Sequence, residues 1–310
     1  MSGPKNLVSA PRFDARQYGL LSVVQPRYDE PDSHWRNGVI WQDICGAGSS
    51  TYDPFCLASG TGTTPAAKTD NIDWNTYGAT PFTAFAQVDC SPVGYSQEEQ
   101  RARAVDALTR TEAFQVERAF WTGAAGGDSA IVFPHLAANE ALTEFQQGAI
   151  SPVVQLQCAA STVSGTTILD VTEGLGRLEM AFGQCYQGQG VIHAPLALAE
   201  SFFDHHVVDI SGGQVRTRAG NLVAFGTGYT GSGPDGTIPS NAVWVYMTGP
   251  VFAYRSQPET FAFKEMFDRS TNTLQSLVER TYVLGFSCCC MPAVPISLGG
   301  DVTGQPLSAF

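Results

Sequence analysis

The longest run of strand-like pattern in this chain lies near its C-terminus, from Asn272 to Phe286. Apolar residues in that run are mixed with polar and charged ones, which is typical of a strand that neighbours cover on part of its surface. A second apolar stretch follows from Ala293 to Ile296. We expect this C-terminal run to build a surface for other copies of the chain.

The clearest helix pattern begins after Ser96, which forms a capping box with Glu99. No glycine or proline interrupts the chain from Gln97 to Phe120, so roughly 24 residues predict a rod about 36 Å long. Its apolar stripe is narrow because an acid interrupts it, and Gly123 is expected to end it. Capping and solvated surface charge account for the four glutamates of the helix, which are Glu98, Glu99, Glu112 and Glu117.

Two strands are predicted ahead of that helix, Trp35–Ile44 and Thr80–Val88, with the second returning along the first. Between them lies an excursion from Gly46 to Gly78 that is rich in Gly, Ser, Thr and Pro. Loops of that length are usually functional or mobile. Residues 1–34 contain four prolines and no sustained periodicity, so they are expected to form an extended arm.

A second region of mixed pattern starts at Asp170, which is expected to cap a core-facing helix ending near Gly188. Pro195 is expected to open a short helix. The strands predicted around it are Gly190–His193, Leu222–Phe225 and Ala242–Tyr246, the last continuing into Val251–Tyr254. Strands and helices in this order predict an α+β fold.

Length and charge narrow the classes of function. At 310 residues the chain is near the size at which a single core stops growing, so two subdomains are expected, with one large compact domain as the alternative. Seventeen basic residues against 29 acidic ones give a net charge of −12. That balance disfavours tight nucleic-acid binding through phosphate contacts. No apolar run approaches the about 20 residues that cross a bilayer, so no membrane partner is expected.

The cysteines are expected to be reduced and mostly buried, because no signal peptide indicates export. Three of them are consecutive, and successive residues of a strand point to opposite faces, so Cys288, Cys289 and Cys290 do not predict a metal site. We expect thiols buried in the core or at an interface, and reactive or disulfide-forming cysteines are the alternative. The full set is Cys45, Cys56, Cys90, Cys158, Cys185, Cys288, Cys289 and Cys290.

No catalytic, cofactor-binding or metal-binding residue is predicted. Gly226–Gly231 matches the spacing G-x-G-x-x-G, but Gly233, Pro234 and Pro239 follow, so the helix that a dinucleotide site needs is not expected. His205 and His206 are adjacent and point apart, which favours a surface role. No nucleophile elbow accompanies any histidine. The tryptophans are expected to anchor the core or subunit contacts, and they are Trp35, Trp41, Trp74, Trp121 and Trp244.

Four segments together resemble a known family. Val278–Phe286 followed by Ala293–Ile296 is similar to the closing strand pair of the Hong Kong 97-type major capsid proteins of tailed double-stranded DNA bacteriophages. Asn221–Gly233 and Trp244–Val251 resemble a subgroup from phages of actinobacteria. The resemblance covers residues 35–300 in order and implies an α+β fold of Hong Kong 97 type. It also implies that Asn272–Phe286 and Ala293–Ile296 are return strands that lie beside the long helix.

The resemblance also implies a division of the chain into the parts of a capsid subunit. In order, these are an N-terminal arm (1–34), an extended loop that overlaps a neighbour (35–90), a peripheral domain with a long spine helix (91–164), an axial domain (165–255) and the return strands of the peripheral domain (256–310).

The implied function is that of a major capsid protein, not an enzyme, which assembles into pentamers and hexamers of an icosahedral head. The partners expected are other copies, a separate scaffolding protein, a portal, a possible decoration protein and non-specifically contacted double-stranded DNA. The implied location is the virion, after assembly in the host cytoplasm. Covalent cross-linking through Lys5, Lys68 or Lys264 is not expected. Two alternatives stay open: an encapsulin-type shell, because fold alone does not decide function, and a soluble α+β enzyme with an unrecognised site.

Overall fold

A computed structural model describes residues 13–28, 33–44, 74–90, 96–125, 132–137, 160–261, 267–268, 273–287 and 289–299. Its helices are α1 (Leu20–Val23), α2 (Gln97–Thr122), α3 (Val171–Cys185) and α4 (Ala199–Asp204), with 3-10 turns at Ser33–Asn37 and Leu196–Leu198. Its strands are β1 (Gln25–Tyr28), β2 (Val39–Ile44), β3 (Trp74–Ala79), β4 (Pro81–Cys90), β5 (Ser161–Thr162), β6 (Val191–Pro195), β7 (Val208–Ser211), β8 (Gln214–Thr217), β9 (Leu222–Gly226), β10 (Ala242–Thr248), β11 (Val251–Arg255), β12 (Glu259–Phe261), β13 (Phe267–Asp268), β14 (Thr273–Phe286) and β15 (Pro292–Ser297).

These strands form two large sheets and one hairpin. The first sheet runs β1-β11-β14-β12, with β4 and β13 also paired to β14, and α2 packs on its β4 and β14 strands. The second sheet has the order β5-β15-β10-β6-β9-β8-β7, and α3 packs on β15 and β10. β2 and β3 form the separate hairpin. One hydrophobic core joins α2 and the first sheet to one face of the second sheet, and it includes Trp244 and Tyr246 of β10. A second core lies between α3 and the other face of the second sheet.

The two C-terminal strands separate into different sheets. β14 lies beside α2 as expected, but β15 pairs with β10 from Ala242↔Ser297 to Tyr246↔Ala293. The prediction that Ala293–Ile296 returns beside the long helix is therefore wrong. The physical reason is the all-buried β10 strand, which needs a partner at each edge to satisfy its backbone groups. β6 pairs along one edge and β15 along the other.

The strand predicted from Ala242 through Tyr254 is also divided between the sheets. It breaks at Gly249 and Pro250, and it continues as β11 in the first sheet. Proline cannot donate a ladder hydrogen bond, which favours such a break. Two strands that the sequence did not predict, β7 and β8, form the far end of the second sheet.

The predicted returning strand pairs elsewhere. β2 pairs with β3, not with residues 80–88, and those residues belong to β4 on β14. The change of partner occurs at Thr80, whose N–H donates to the Phe133 carbonyl over 2.8 Å. Trp35 lies in a 3-10 turn that Gly38 ends at φ 114°, so the strand starts at Val39. Most of the predicted excursion, residues 45–73, lies outside the described residues.

The long helix is confirmed and extends two residues further than predicted. The Ser96 hydroxyl accepts from the Glu99 N–H over 3.2 Å, the Glu99 carboxylate accepts from the Ser96 N–H over 2.7 Å, and Gly123 ends the helix at φ 73°. Both ends are set by local residues, which is why the sequence predicted them. α3 likewise begins after the Asp170 cap.

Part of the predicted arm is built into the body. Leu20, Val23 and Val24 are buried in the core of the first sheet, and β1 pairs in parallel with β11. The expectation of an extended arm is therefore wrong for residues 20–28. Residues 1–12 lie outside the described residues. Within the described ranges, no helix combines the length and apolar character needed to span a bilayer.

Candidate functional site

The candidate site is the junction at which α2 joins the N-terminal segment and the glycine-rich loop, residues 226–233. Glu117 lies at its centre and is 2% exposed. One carboxylate oxygen accepts from the Leu20 N–H over 3.1 Å. The other accepts from the Gly228 N–H over 3.0 Å and from the Thr227 hydroxyl over 3.1 Å. One side chain thus connects three parts of the chain.

The electrostatics of this junction follow from burial. Burial raises the pKa of Glu117, and the hydrogen bonds from Gly228, Leu20 and Thr227 oppose that shift without cancelling it. Burial also raises the pKa of Tyr229 well above its ordinary value, and the nearby Glu117 carboxylate raises it further. Neutral donors therefore hold the Glu117 side chain. This residue is a buried contact that joins α2 to the N-terminal segment and the glycine-rich loop, and it is not a solvated charge.

The glycine-rich loop lies directly against α2. A side chain at Gly228 would overlap the Phe114 carbonyl oxygen and would lie 2.6 Å from the Arg118 backbone nitrogen. At Gly231, with φ 78°, a side chain would lie 2.7 Å from Val243. The glycines of the G-x-G-x-x-G spacing thus permit close packing of loop on helix and strand, which explains the motif without a dinucleotide.

A neutral histidine continues this polar network into the second sheet. Thr248 donates to the Gly249 carbonyl over 2.9 Å, so its hydroxyl accepts from Nε2–H of His193 over 2.9 Å. Nδ1 of His193 then accepts from the Tyr229 hydroxyl over 3.1 Å. Burial lowers the pKa of His193 to about 3. The imidazole stays neutral near pH 7 and connects strands β6 and β10 to the loop.

A second buried acid of α2 forms an ion pair. Glu112 is 6% exposed, and both of its carboxylate oxygens accept from Nη1 of Arg280 on β14, at 2.6 and 2.7 Å. Nη1 of Arg255 on β11 lies 3.7 Å from the same carboxylate. This group fastens α2 to two strands of the first sheet. The prediction of a solvated charge is wrong for Glu112 and for Glu117.

A signal for these acids was present in the sequence. Glu112 interrupts the apolar stripe of α2, and Glu117 lies between Val116 and Phe120, which are both fully buried. An acid within an apolar stripe indicates a buried, paired carboxylate. The identity of the partners gave no signal, because Arg280 is 168 residues away.

The other residues considered from the sequence lie apart from this junction. His205 and His206 are exposed at the end of α4, where His205 Nδ1 lies 2.8 Å from the Ser201 carbonyl oxygen. Trp35, Trp121 and Trp244 are buried, as expected of anchors. Among the described side chains, no group of three or more His, Cys, Asp or Glu could hold a metal ion. The three lysines, Lys5, Lys68 and Lys264, lie outside the described residues.

The cysteines differ from the prediction. A disulfide joins Cys185 to Cys290, with 5.9 Å between their Cα atoms. Cys289 is also disulfide-bonded. The disulfides in the structure depart from the expectation of reduced thiols. Cys185 and Cys290 meet because the fold brings the end of α3 against the segment before β15, which no local pattern encodes. Cys288 lies outside the described residues.

A groove of about 570 Å³ opens where the parallel strands β6 and β9 end. Ligand sites of α/β proteins often occupy this position. Here the lining is mostly apolar, with Leu196, Ile238 and Leu298 among its residues, and it contains no His, Cys, Asp, Glu, Lys or Arg. Tyr229 is the one ionisable side chain among the described lining residues, and burial raises its pKa well above its ordinary value, so it is not poised as a general base near pH 7.

Comparison with known proteins adds a fold assignment. Neither a family model nor a curated protein sequence matches this chain. Among solved structures, the capsid of a native GTA particle matches with a TM-score of 0.50 and 10% identity, over 96% of this chain and 95% of that one. This chain has a capsid-protein fold. The α+β capsid fold predicted from the resemblance to Hong Kong 97-type proteins is thus confirmed.

Other solved structures are similar to this capsid fold. A chain of Microbacterium phage Oxtober96 has a TM-score of 0.49 and 12% identity over 95% of each chain. The capsid of Ralstonia phage GP4 has a TM-score of 0.48 and 10% identity over 97% of each chain. Within this fold, Glu112 and Glu117 are buried polar groups that join the long helix to other parts of the chain.

Proposed function

We propose that this chain is a major capsid protein that assembles into the pentamers and hexamers of an icosahedral phage head. The observation that carries the proposal is the match to the capsid of a GTA particle, which covers almost the full length of both chains. A match of that extent leaves little of this chain for an additional domain. In this proposal the chain is a structural protein and not an enzyme.

The surface of the described part supports assembly. Large apolar side chains on several elements are more than two-fifths exposed, including Phe85 on β4, Met180 on α3 and Ile210 on β7. Single exposed apolar residues are ordinary on a protein surface. A shell subunit, however, contacts neighbours on several sides, so each of these side chains could be buried against another copy. The net charge of −12 also suits an inner surface that contacts double-stranded DNA without strong phosphate binding.

The parts of the subunit follow the sheets in this proposal. The overlapping loop (35–90), the peripheral domain (91–164) and the axial domain (165–255) keep the boundaries given above. The proposed arm is shortened, because residues 20–28 belong to the core and to the first sheet. The return segment (256–310) is shared, because β14 belongs to the sheet of the long helix and β15 to the other sheet. Proposed partners are a scaffolding protein, a portal and a decoration protein, with assembly in the host cytoplasm and a final place in the virion.

Electron microscopy of the purified chain, with sedimentation, tests the proposal. We expect closed shells with five-fold and six-fold clusters, and heads that contain DNA when the chain comes from infected cells. Small shells that contain a protein cargo and no DNA would favour an encapsulin-type compartment instead. A chain that stays a monodisperse monomer at high concentration would contradict both shell functions.

A deletion tests the placement of the overlapping loop. Removal of Gly60–Lys68, which lies outside the described residues, is expected to lower particle yield while the unassembled chain keeps its circular dichroism spectrum. The spectrum serves as the control for folding. Normal particle yield from the deleted chain would show that this segment is not the overlapping loop.

A further inference from the structure

The disulfide between Cys185 and Cys290 occupies a structural junction. Cys185 is the last residue of α3, and Cys290 lies between β14 of the first sheet and β15 of the second. Their Cα atoms are 5.9 Å apart across 105 residues of sequence. That separation lies in the usual range for a disulfide. The bond therefore ties the end of a helix to the segment at which the chain passes from one sheet to the other.

The opposite end of α3 is fastened without a covalent bond. The Leu169 N–H donates to the Pro295 carbonyl over 3.1 Å, and the Ser297 N–H donates to the Leu169 carbonyl over 2.9 Å. Gly174 lies so close to β15 that an added side chain would be 2.9 Å from Ile296. These contacts form on folding whatever the redox state. Non-covalent contacts thus hold the N-terminal end of α3 on β15, and the disulfide between Cys185 and Cys290 holds its C-terminal end.

We propose that Cys185 and Cys290 form a redox lock, open as two thiols while the chain folds and assembles and closed as a disulfide once the particle meets an oxidising medium. The proposal rests on the proposed function, because a capsid is built in a reducing cytoplasm and then leaves it. The lock would not direct folding. It would hold α3 on β15 after the shell is complete.

The packing around the pair is compatible with both states. Cys290 is 5% exposed and belongs to the same core as Phe182 and Ile296. A free cysteine behaves as a small apolar side chain, so the reduced pair fits this core. Cys185 is only partly buried, which leaves one sulfur open to a small molecule. Oxidation can therefore follow folding and does not require the core to open.

The chemistry needs an external oxidant of the small-molecule disulfide class, such as oxidised glutathione. The Cys185 thiolate attacks one sulfur of that disulfide, which releases one glutathione thiolate and forms a mixed disulfide at Cys185. The Cys290 thiolate then attacks the Cys185 sulfur and releases the second glutathione. Two protein thiols lose two electrons and two protons in total, and one glutathione disulfide is reduced to two glutathione thiols.

The test follows the pair by alkylation and peptide mass mapping. Cells that make the chain are lysed directly into N-ethylmaleimide, and a second sample of purified particles is incubated with oxidised glutathione before alkylation. We expect both residues alkylated in the first sample and a peptide pair linked through Cys185 and Cys290 in the second. A linked pair in the cells, or two alkylated thiols after oxidation, would overturn the redox lock.

Variants separate this pair from the other disulfide. Oxidised wild-type particles are expected to melt higher than reduced ones, by roughly 5 to 10 °C for a loop of this length. In Cys185→Ser and in Cys290→Ala, the difference in melting temperature between oxidised and reduced particles should shrink by the same amount. The double variant should show the same remaining difference as either single variant. Reduced wild type and Cys185→Ser should melt alike, which controls for packing.

The outcome is independent of whether shells form. Alkylation reports the state of the two sulfurs even in an unassembled chain, whereas electron microscopy reports the shell. Shells without the lock would leave the proposed function intact. If the disulfide forms but the chain never assembles into shells, the absence of shells contradicts the proposed function. The disulfide then has no role in holding α3 on β15 within a particle.

Discussion

At the scale of single residues, Glu112 and Glu117 show how one helix uses the same side chain in two ways. Glu112 is buried beside Arg280 and Arg255, so its charge is compensated by cations. Glu117 is buried among neutral donors, so its charge is stabilised only by hydrogen bonds. The two acids should therefore respond differently to mutation and to pH.

Loss of the Glu112 carboxylate is expected to be costly. In Glu112→Ala, Arg280 keeps its charge in a site where its side chain is 15% exposed, so the free energy of unfolding should fall by about 3 kcal/mol. Urea unfolding of the unassembled chain measures it. Glu173→Ala on α3 is the matched control, because its pair with Arg177 is 46% exposed on each side and should cost about 0.5 kcal/mol or less. Equal costs would contradict a buried pair.

Glu117 should make the stability depend on pH. Its pKa in the folded chain is raised above the ordinary 4.5, so between those two pKa values the folded state holds a proton that the unfolded state has lost. The contribution of Glu117 is therefore fully present below pH 4.5 and is lost as pH rises through the folded pKa. Unfolding free energies of the wild type and Glu117→Gln, measured from pH 4.5 upward, should differ in slope, with the variant lacking this decrease. Parallel curves would refute the assignment.

At the scale of elements, the glycines are explained by what lies next to them. The loop at Gly228 touches the backbone of α2, whereas Gly183 on the outer face of α3 has open space where a side chain would be. A glycine in an open helix position only weakens the helix, while a glycine at a close contact is required by packing.

Alanine substitutions at these two glycines should have opposite effects. Gly228→Ala must move the loop away from α2 and should destabilise the chain by about 2 kcal/mol. Gly183→Ala meets no neighbour within the chain and should stabilise it by about 0.5 to 1 kcal/mol. Thermal unfolding of the unassembled variants measures both. A neutral Gly228→Ala would show that the loop does not pack on the helix as described.

At the scale of the whole molecule, the two sheets are joined by chain crossings and by the N-terminal segment. In chain order, the described strands change sheets from β4 to β5, from β10 to β11 and from β14 to β15. Residues 18–28 add a further link, because the Tyr18 carbonyl accepts from the Phe225 N–H over 2.8 Å while β1 pairs with β11. This segment is part of the folded body of the chain.

Two truncations should separate the outer arm from this segment. Removal of residues 1–28 deletes the buried Leu20, Val23 and Val24, a loss of roughly 5 kcal/mol from apolar burial alone. Because domains are stable by only about 5 to 15 kcal/mol, we expect this chain not to fold stably. Removal of residues 1–12 leaves every contact described above in place and should preserve the melting temperature. Equal melting temperatures for the two truncations would contradict the built-in segment.

The sequence alone determined the features that depend on residues close to one another along the chain. The capping box at Ser96, the stop at Gly123 and the cap at Asp170 set the bounds of α2 and α3, and the order of elements was enough to indicate the capsid fold. Capping bonds join residues a few positions apart, so a single short window of sequence contains both partners.

Only the tertiary structure decided which distant parts meet. It assigned β14 and β15 to different sheets, placed Glu117 against Gly228, paired Glu112 with Arg280 and joined Cys185 to Cys290. Each of these pairings depends on how whole elements pack. A local pattern of polar and apolar residues shows that a strand or a charge needs a partner, but residues more than 100 positions apart carry no local mark of which partner it is.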